Sequence, residues 1–273
     1  MNRHQKLGFS LTLIVLILPF FSIPNSVDPL PISNTNQIRV LNYNAHFGVE
    51  VNRGYDLEAF IDVVQKYSPN IVTFQELTYY FHANGFPNMI GQLKDAMKAI
   101  GFEYSYISEG GLYYLRNAIF SQYPIIHAET IEYTTQLTYT RSFISVLTKI
   151  NGYDTRVITT HLTHIGESTP ERISQVTQLL DYIGSLNEIN VILTGDFNAE
   201  PNYQEIQLII PDLTDAWDFT NPDSLGLTSP SDNPEKRIDY IFLSSNIEIN
   251  GCVIGSDLVS DHLPLYCEVV LST

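Results

Sequence analysis

The sequence predicts an α/β protein built as two packed sheets flanked by helices, four layers in all. Two observations carry this. Helix and strand patterns alternate in both halves of the chain, while the middle, Glu103 to Ile158, is almost all strand in texture, rich in Tyr, Thr, Ile and Val. A third bounds the size: 273 residues, 44% of them hydrophobic, suffice for one sizeable core, and no internal repeat, low-complexity tract or second domain is visible.

The elements follow in order. Arg3, His4 and Lys6 precede an apolar run from Leu7 to Ile23, broken by Ser10, Thr12, Pro19 and Ser22. A basic start before an apolar stretch is an export pattern. The run is long for a signal core and short for a comfortable membrane span. It predicts a cleaved signal over residues 1–26, with an N-terminal membrane anchor through residues 7–23 as the alternative. A linker over 27–36 and one domain over 37–273 follow, the domain lying outside the cytoplasm, secreted or anchored.

Ile38 to Asn44 reads as a strand that breaks near Gly48. Leu57, Phe60, Ile61 and Val64 recur at helical spacing, and Ser68-Pro69 stops that helix. Ile71 to Phe74 is a buried strand ending at Gln75-Glu76, and a second helix carries Met89, Leu93, Met97 and Ile100 up to Gly101. In the strand-rich middle, turns fall at Gly110-Gly111, Tyr123-Pro124 and Asn151-Gly152, the last a hairpin signal. Val157 to Leu162 is a strand with His161 at its end. Thr169-Pro170-Glu171 starts a helix: a capping residue, Pro at the first helical position, then an acid. Ile173, Val176, Leu180 and Ile183 are its predicted apolar face. The strand Val191–Thr194 breaks at Gly195, and a short helix near Gln204–Ile209 leads to an irregular stretch around Trp217. Three strands close the chain, around Ile238–Leu243, Ile247–Ile254 and Leu265–Leu271.

The charge is lopsided: 14 Lys plus Arg against 30 Asp plus Glu, a formal −16. That balance repels polyanions and leaves few cations to neutralise phosphates, which counts against a non-specific nucleic-acid binder. A nuclease that leans on a bound metal stays open, and the acidity also suits the solubility of an exported protein. Cys252 and Cys267 are the only cysteines. In an exported chain they could pair, or they are two small buried hydrophobes; their spacing is no metal-binding pattern.

The chemistry gathers at strand ends. Asn44, Glu76, His161, Asp196 with Asn198, and Asp261 with His262 each follow a strand, and Asp239 begins one. Ligand sites in α/β sheets lie beyond strand ends. Asp196 and Asn198, two positions apart, would face one side of an extended segment and present a base and a neutral polar group to one point.

In this order the chain resembles the endonuclease/exonuclease/phosphatase superfamily, the deoxyribonuclease I-like metal-dependent phosphodiesterases. The stretches are Leu-Asn-Tyr-Asn-Ala-His-Phe-Gly (41–48), Asn-Ile-Val-Thr-Phe-Gln-Glu (70–76), Asn-Ala-Ile-Phe-Ser-Gln-Tyr-Pro-Ile (117–125) and Thr-His-Leu (160–162). Gly-Asp-Phe-Asn-Ala-Glu-Pro (195–201), Arg-Ile-Asp-Tyr-Ile-Phe (237–242) and Ser-Asp-His-Leu-Pro-Leu (260–265) complete them, and these last three are the specific ones. The resemblance implies a four-layer α/β/β/α sandwich, in agreement with the pattern above. It implies Glu76 as principal ligand of Mg²⁺ (Mn²⁺ a substitute), with Asn44 and Asp261 as further members of that metal site. Asp196 would activate water, Asn198 would steady water and phosphate, and His262, oriented by Asp239, would face the phosphate. His161, Arg141 and Asn117 match family residues near phosphate. The chain departs from the pattern at His46, where abasic-site endonucleases carry an acid, and His164 has no assigned role.

The resulting expectation is an exported, divalent-metal-dependent hydrolase that cleaves a phosphodiester by attack of water, a lipid or other small headgroup favoured. A secreted nuclease acting on DNA or RNA is the nearest alternative. A non-catalytic phosphate- or lipid-binding module on the same fold is the rival from another class. No protein partner is implied.

Overall fold

The computed structural model describes residues 36–50, 54–79, 88–109, 115–136, 140–166, 169–187 and 190–272. The predicted signal or anchor, most of the linker and the Gly110-Gly111 turn lie outside them. In chain order the first half holds β1 (Gln37–Asn44), β2 (Val49–Glu50), β3 (Gly54–Tyr55), α1 (Leu57–Tyr67), β4 (Ile71–Leu77), α2 (Met89–Ala99), β5 (Tyr104–Ile107), β6 (Arg116–Ser121), β7 (Ile125–Glu132) and β8 (Ser142–Ile150). The second holds β9 (Tyr153–His161), α3 (Pro170–Gly184), β10 (Asn190–Asp196), α4 (Gln204–Ile209), β11 (Thr214–Asp215), α5 (Ala216–Thr220), β12 (Asp239–Leu243), β13 (Glu248–Ile254) and β14 (Leu265–Val270).

Two mixed six-stranded sheets result, ordered β13-β14-β1-β4-β6-β5 and β11-β12-β10-β9-β8-β7. Each has one central parallel pair, β1 with β4 and β10 with β9, and antiparallel neighbours outside it. Three apolar clusters fill the spaces between layers. Ile38, Val40, Ile71 and Ile119 of the first sheet meet Ile144, Val157, Ile192 and Ile241 of the second. Tyr43, Val72 and Phe74 pack under Phe60, Val64 and Met97 of α1 and α2. Ile158, Leu193 and Phe242 pack under Val176, Leu179 and Ile206 of α3 and α4. Alternate side chains of one strand therefore serve different layers, as the two-residue period requires.

Local chemistry sets the helix ends. The Asp56 carboxylate accepts from Ala59 N–H (3.0 Å) at the start of α1, and Thr169 Oγ1 accepts from Arg172 N–H (3.2 Å) ahead of Pro170 in α3. Two expectations need correction. The buried residues of α3 are Glu171, Arg172, Gln175, Val176 and Leu179: of the predicted face Val176 is buried, while Ile173, Leu180 and Ile183 stay half-buried. The cause is Arg172, fully buried, whose Nε donates to Glu205 Oε1 (3.1 Å) and whose Nη1 donates to Thr163 O (3.0 Å) and Gly166 O (3.1 Å). That side chain rotates the helix inward to hold the loop after β9. The stretch around Trp217 is not irregular either: β11 leads into α5, capped by Asp215, which accepts from Trp217 N–H (3.1 Å) and Asp218 N–H (3.3 Å).

Cys252 and Cys267 face each other across β13 and β14 and form a disulfide, with Cα atoms 4.1 Å apart. The Arg172–Glu205 pair yields a stability prediction. Arg172→Ala leaves a buried carboxylate without its partner and is expected to cost about 3 kcal/mol. A paired Arg172→Met, Glu205→Leu variant is expected to recover most of that loss. Urea unfolding of both proteins checks it, and a single variant as stable as the parent would contradict the reading.

Candidate active site

Strand register assembles the site. In the second sheet Asp196 ends β10 with His161 beside it on parallel β9 and Asp239 beside it on antiparallel β12, three chemical groups in one row. In the first sheet the ends of β1 and β4 bring Asn44 alongside Gln75 and Glu76. Gly195 permits the close approach of β9: at φ +149° a Cβ there would lie 2.3 Å from Thr160 O. Glu76, Asn198 and His46 all take left-handed backbone (φ 57°, 49° and 38°), which turns their side chains out of strand alternation.

Asp196 is the centre, only 1% exposed. Its Oδ1 accepts from Asn198 N–H (2.9 Å) and its Oδ2 from Asn44 Nδ2 (2.9 Å). Burial pushes its carboxyl above the usual carboxylate range; His262 and the Asn198 N–H pull it down, and Asp239 and Glu76 push it up. A buried carboxylate of raised basicity, fixed at both oxygens, suits proton abstraction near neutral pH.

Two imidazoles flank it in opposite charge states. His262 Nδ1 lies 2.7 Å from Asp239 Oδ2, which also accepts from Thr228 Oγ1 (2.6 Å). Burial alone would lower the His262 pKa. The Asp239 carboxylate, its hydrogen bond, Asp196 and Asp261 outweigh that and raise it to about 10, so the ring is an imidazolium at neutral pH. Its Nε2 stands 3.8 Å from Asp196 Oδ2. His161 Nδ1 lies 2.7 Å from Arg141 Nη1, and a guanidinium only donates, so Nδ1 accepts and the proton sits on Nε2. That Nε2 stands 3.5 Å from Asp196 Oδ2 and 3.6 Å from Glu76 Oε1. Burial first, then Arg141, His262 and His164, hold the His161 pKa well below its ordinary value. His161 is thus a neutral hydrogen-bond donor rather than an acid.

The other predicted residues occupy distinct places. Asn44 bridges, donating to Asp196 and weakly to Glu76 Oε1 (3.4 Å) while its Oδ1 accepts from His46 N–H (3.0 Å). Asn198 donates its side-chain amide to Leu162 O (3.1 Å). Arg141, buried, reaches His161 and also His164 Nδ1 (3.3 Å from Nη2), which brings into the site a histidine without an assigned role. Asn117 donates to Ser142 O (2.9 Å), tying β6 to β8; among the described residues it makes no hydrogen bond to the carboxylates. Asp261 is 38% exposed, its Oδ1 3.3 Å from Ser260 Oγ and 3.6 Å from His46 Nδ1.

The donor set fits a hard divalent cation. Among the described residues, ligand atoms of Glu76, His161 and Asp196 lie within 4.8 Å of one another, as do those of Asp196, Asp239 and His262. In the second group the short Asp239–His262 bond already satisfies the imidazole. In the first, His161 presents a proton and Asp196 is bonded at both oxygens, whereas Glu76 meets only contacts of 3.4 Å and 3.6 Å. Glu76 is therefore the carboxylate with free coordinating capacity, and such a site suits an ion that takes one or two carboxylates and keeps its waters.

Under the site lies a polar layer that sequence reasoning missed. Thr73 and Thr194 bond through their hydroxyls (2.9 Å), Gln75 Nε2 donates to Thr159 Oγ1 (2.8 Å) and Asn42 Oδ1 (2.9 Å), and Asn42 Nδ2 donates to Gly195 O (3.3 Å). The signal was present: Asn42, Thr159 and Thr194 each stand two positions before Asn44, His161 and Asp196. This layer bolts one sheet to the other directly beneath the carboxylates.

Solved structures share the fold. An endonuclease/exonuclease/phosphatase from Beutenbergia cavernae superposes with a TM-score of 0.73 at 18% identity, covering 87% of this chain and 72% of its own. A mannosyl-6-phosphatase from Bacteroides thetaiotaomicron gives 0.67 at 20% identity over 86% of this chain and all of its own (100%). D. rerio TDP2, complexed with single-stranded DNA product, gives 0.68 at 18% identity over 86% and 99%. No curated protein matches the sequence. A family model matches from Leu41 in the first strand to His262 beside the last, and on that span, residues 41–262, the chain belongs to the Endonuclease/Exonuclease/phosphatase family.

Proposed function

We propose that the chain is an exported, Mg²⁺-dependent hydrolase of a small phosphodiester, a phospholipid-type headgroup, acting by direct attack of water. The observation that carries the hydrolysis is Asp196, a buried carboxylate fixed at both oxygens between two imidazole Nε2–H groups. Asp196 takes the proton as the water oxygen bonds to phosphorus and the ester P–O bond breaks, its electron pair leaving with the alkoxide oxygen, which takes a proton from solvent. The His262 imidazolium and the neutral His161 donate from Nε2 to phosphoryl oxygens as charge builds there. Asn198 holds the Asp196 carboxylate in line and orients the water. Glu76 and Asp261, with Asn44 between them and the base, are the residues that would hold Mg²⁺ or Mn²⁺; the ion supplies positive charge to the phosphate.

The preference for a small substrate rests on charge. Six of the fourteen Lys and Arg side chains are committed to ion pairs: Arg39, Lys66, Lys98, Lys149, Arg172 and Arg237. Arg141 is occupied by two histidines. Among the described residues seven of the fourteen are thus engaged, which leaves fewer cations to track a polyanion, whose binding depends on many phosphate contacts. Export is supported by the Cys252–Cys267 disulfide, since such bonds persist in oxidising compartments, and by the basic-then-apolar start of the sequence.

The test is hydrolysis by the full chain, with Mg²⁺ and with chelator, of plasmid DNA and of sphingomyelin and inositol-phospholipid vesicles in parallel. Chelator-sensitive headgroup release with DNA intact is the expected result. DNA cleavage with lipids intact replaces the proposal by a secreted nuclease, and silence on every substrate replaces it by a binding module.

A further inference from the structure

The segment after β1 is strained in an informative place. His46, Phe47 and Gly48 are consecutively left-handed (φ 38°, 58° and 73°), and two of the three are not glycine. Left-handed backbone costs a non-glycine residue on the order of 1–3 kcal/mol and persists where its surroundings impose it. Here the imposing contacts are His46 N–H to Asn44 Oδ1 (3.0 Å) and Gly48 N–H to Ala45 O (2.7 Å). Their consequence is the position of one ring atom. Among the described residues the buried His46 Nδ1 has no hydrogen-bond partner and faces Asp261 Oδ1 at 3.6 Å, too far for a hydrogen bond.

The other imidazoles around the carboxylates are turned to other partners. His161 Nδ1 accepts from Arg141 and its Nε2 carries the proton. His164 Nδ1 faces Arg141 Nη2. His262 Nδ1 donates to Asp239 Oδ2 (2.7 Å) and its Nε2 faces Asp196 Oδ2 (3.8 Å). Of these four rings, His46 is the one whose nitrogen faces Asp261. Two donors held about 2.1 Å from one ion stand roughly 3.0–3.4 Å apart, so the 3.6 Å between Nδ1 and Oδ1 closes with a shift of a few tenths of an ångström.

We infer that His46 and Asp261 form a nitrogen-and-oxygen donor pair that binds a late first-row dication, Co²⁺ or Zn²⁺, in preference to Mg²⁺. Imidazole suits these ions, whose affinity for such sites rises along the series from Mn²⁺ through Co²⁺, while Mg²⁺ takes oxygen donors almost alone. The inference rests on the metal-dependent reading above, because Asp261 belongs to both.

The experiment titrates the full chain and its His46→Asn variant with Co²⁺, Zn²⁺ and Mg²⁺ by calorimetry, with the visible absorption of Co²⁺ as a second readout. Asn tolerates left-handed backbone, so the variant keeps the local turn. Loss of about tenfold or more in Co²⁺ and Zn²⁺ affinity, a changed Co²⁺ spectrum, and Mg²⁺ affinity within about twofold are expected. Unchanged Co²⁺ and Zn²⁺ binding in the variant overturns the inference and leaves His46 an ion-pair partner of Asp261, with the hydrolase reading intact. Failure of the parent chain to bind any of the three ions overturns both.

Discussion

Asp196→Asn is expected to lower kcat on the order of 10⁴-fold without loss of stability. The substitution keeps side-chain volume and one oxygen to accept from Asn198 N–H, so the turn after β10 survives. It removes the base. It also places an amide N–H where Oδ2 now accepts from Asn44, and that contact has to loosen. Against this stands a relief. The folded carboxyl titrates above its ordinary value, so ionising it costs stability as pH rises past the usual carboxylate range through the folded pKa. A neutral amide removes that cost above the range, and thermal unfolding at neutral pH is expected to show a midpoint equal to or higher than the parent's. Activity traded against stability marks a functional group rather than a structural one. A variant within about tenfold of the parent rate would remove Asp196 as the base.

The same residues show what was legible in the sequence. Each sheet's strands declared themselves through apolar runs, and polar residues at their ends located the site, because a strand end is where a side chain leaves the core. Register was not legible. That His161, Asp196 and Asp239 lie in one row depends on pairing between strands far apart in the chain. Arg141 was singled out by resemblance alone, and its bond to His161, which fixes that ring's tautomer, is a tertiary fact. Arg172 misled for a related reason. Periodicity treats a charged residue as exposed, and a fully buried Arg–Glu pair inverts the rule and turns α3. The polar layer under the site was written in the strands as i, i+2 pairs. It was unreadable until both sheets supplied partners, since a buried Thr or Asn has meaning only with the group it bonds.

His262→Gln is expected to lower kcat on the order of 10³-fold with a small change in KM. The ring is held cationic by Asp239 at 2.7 Å, and its Nε2 stands 3.8 Å from Asp196 Oδ2, beside the base that the proposed reaction uses. A glutamine amide can donate a hydrogen bond from nearby but brings no charge, so ground-state binding survives better than the transition state. Asp239→Asn reaches the same loss by another route. Without the Asp239 carboxylate only Asp196 and Asp261 oppose burial, so the ring's pKa falls and less of it is imidazolium. Because both substitutions remove one imidazolium, the double variant should be little worse than His262→Gln alone, the signature of residues acting as a unit. Additive losses would mean that Asp239 acts on the reaction separately from His262. Its Oδ1, buried with no partner among the described residues, is the atom through which such a separate role would run.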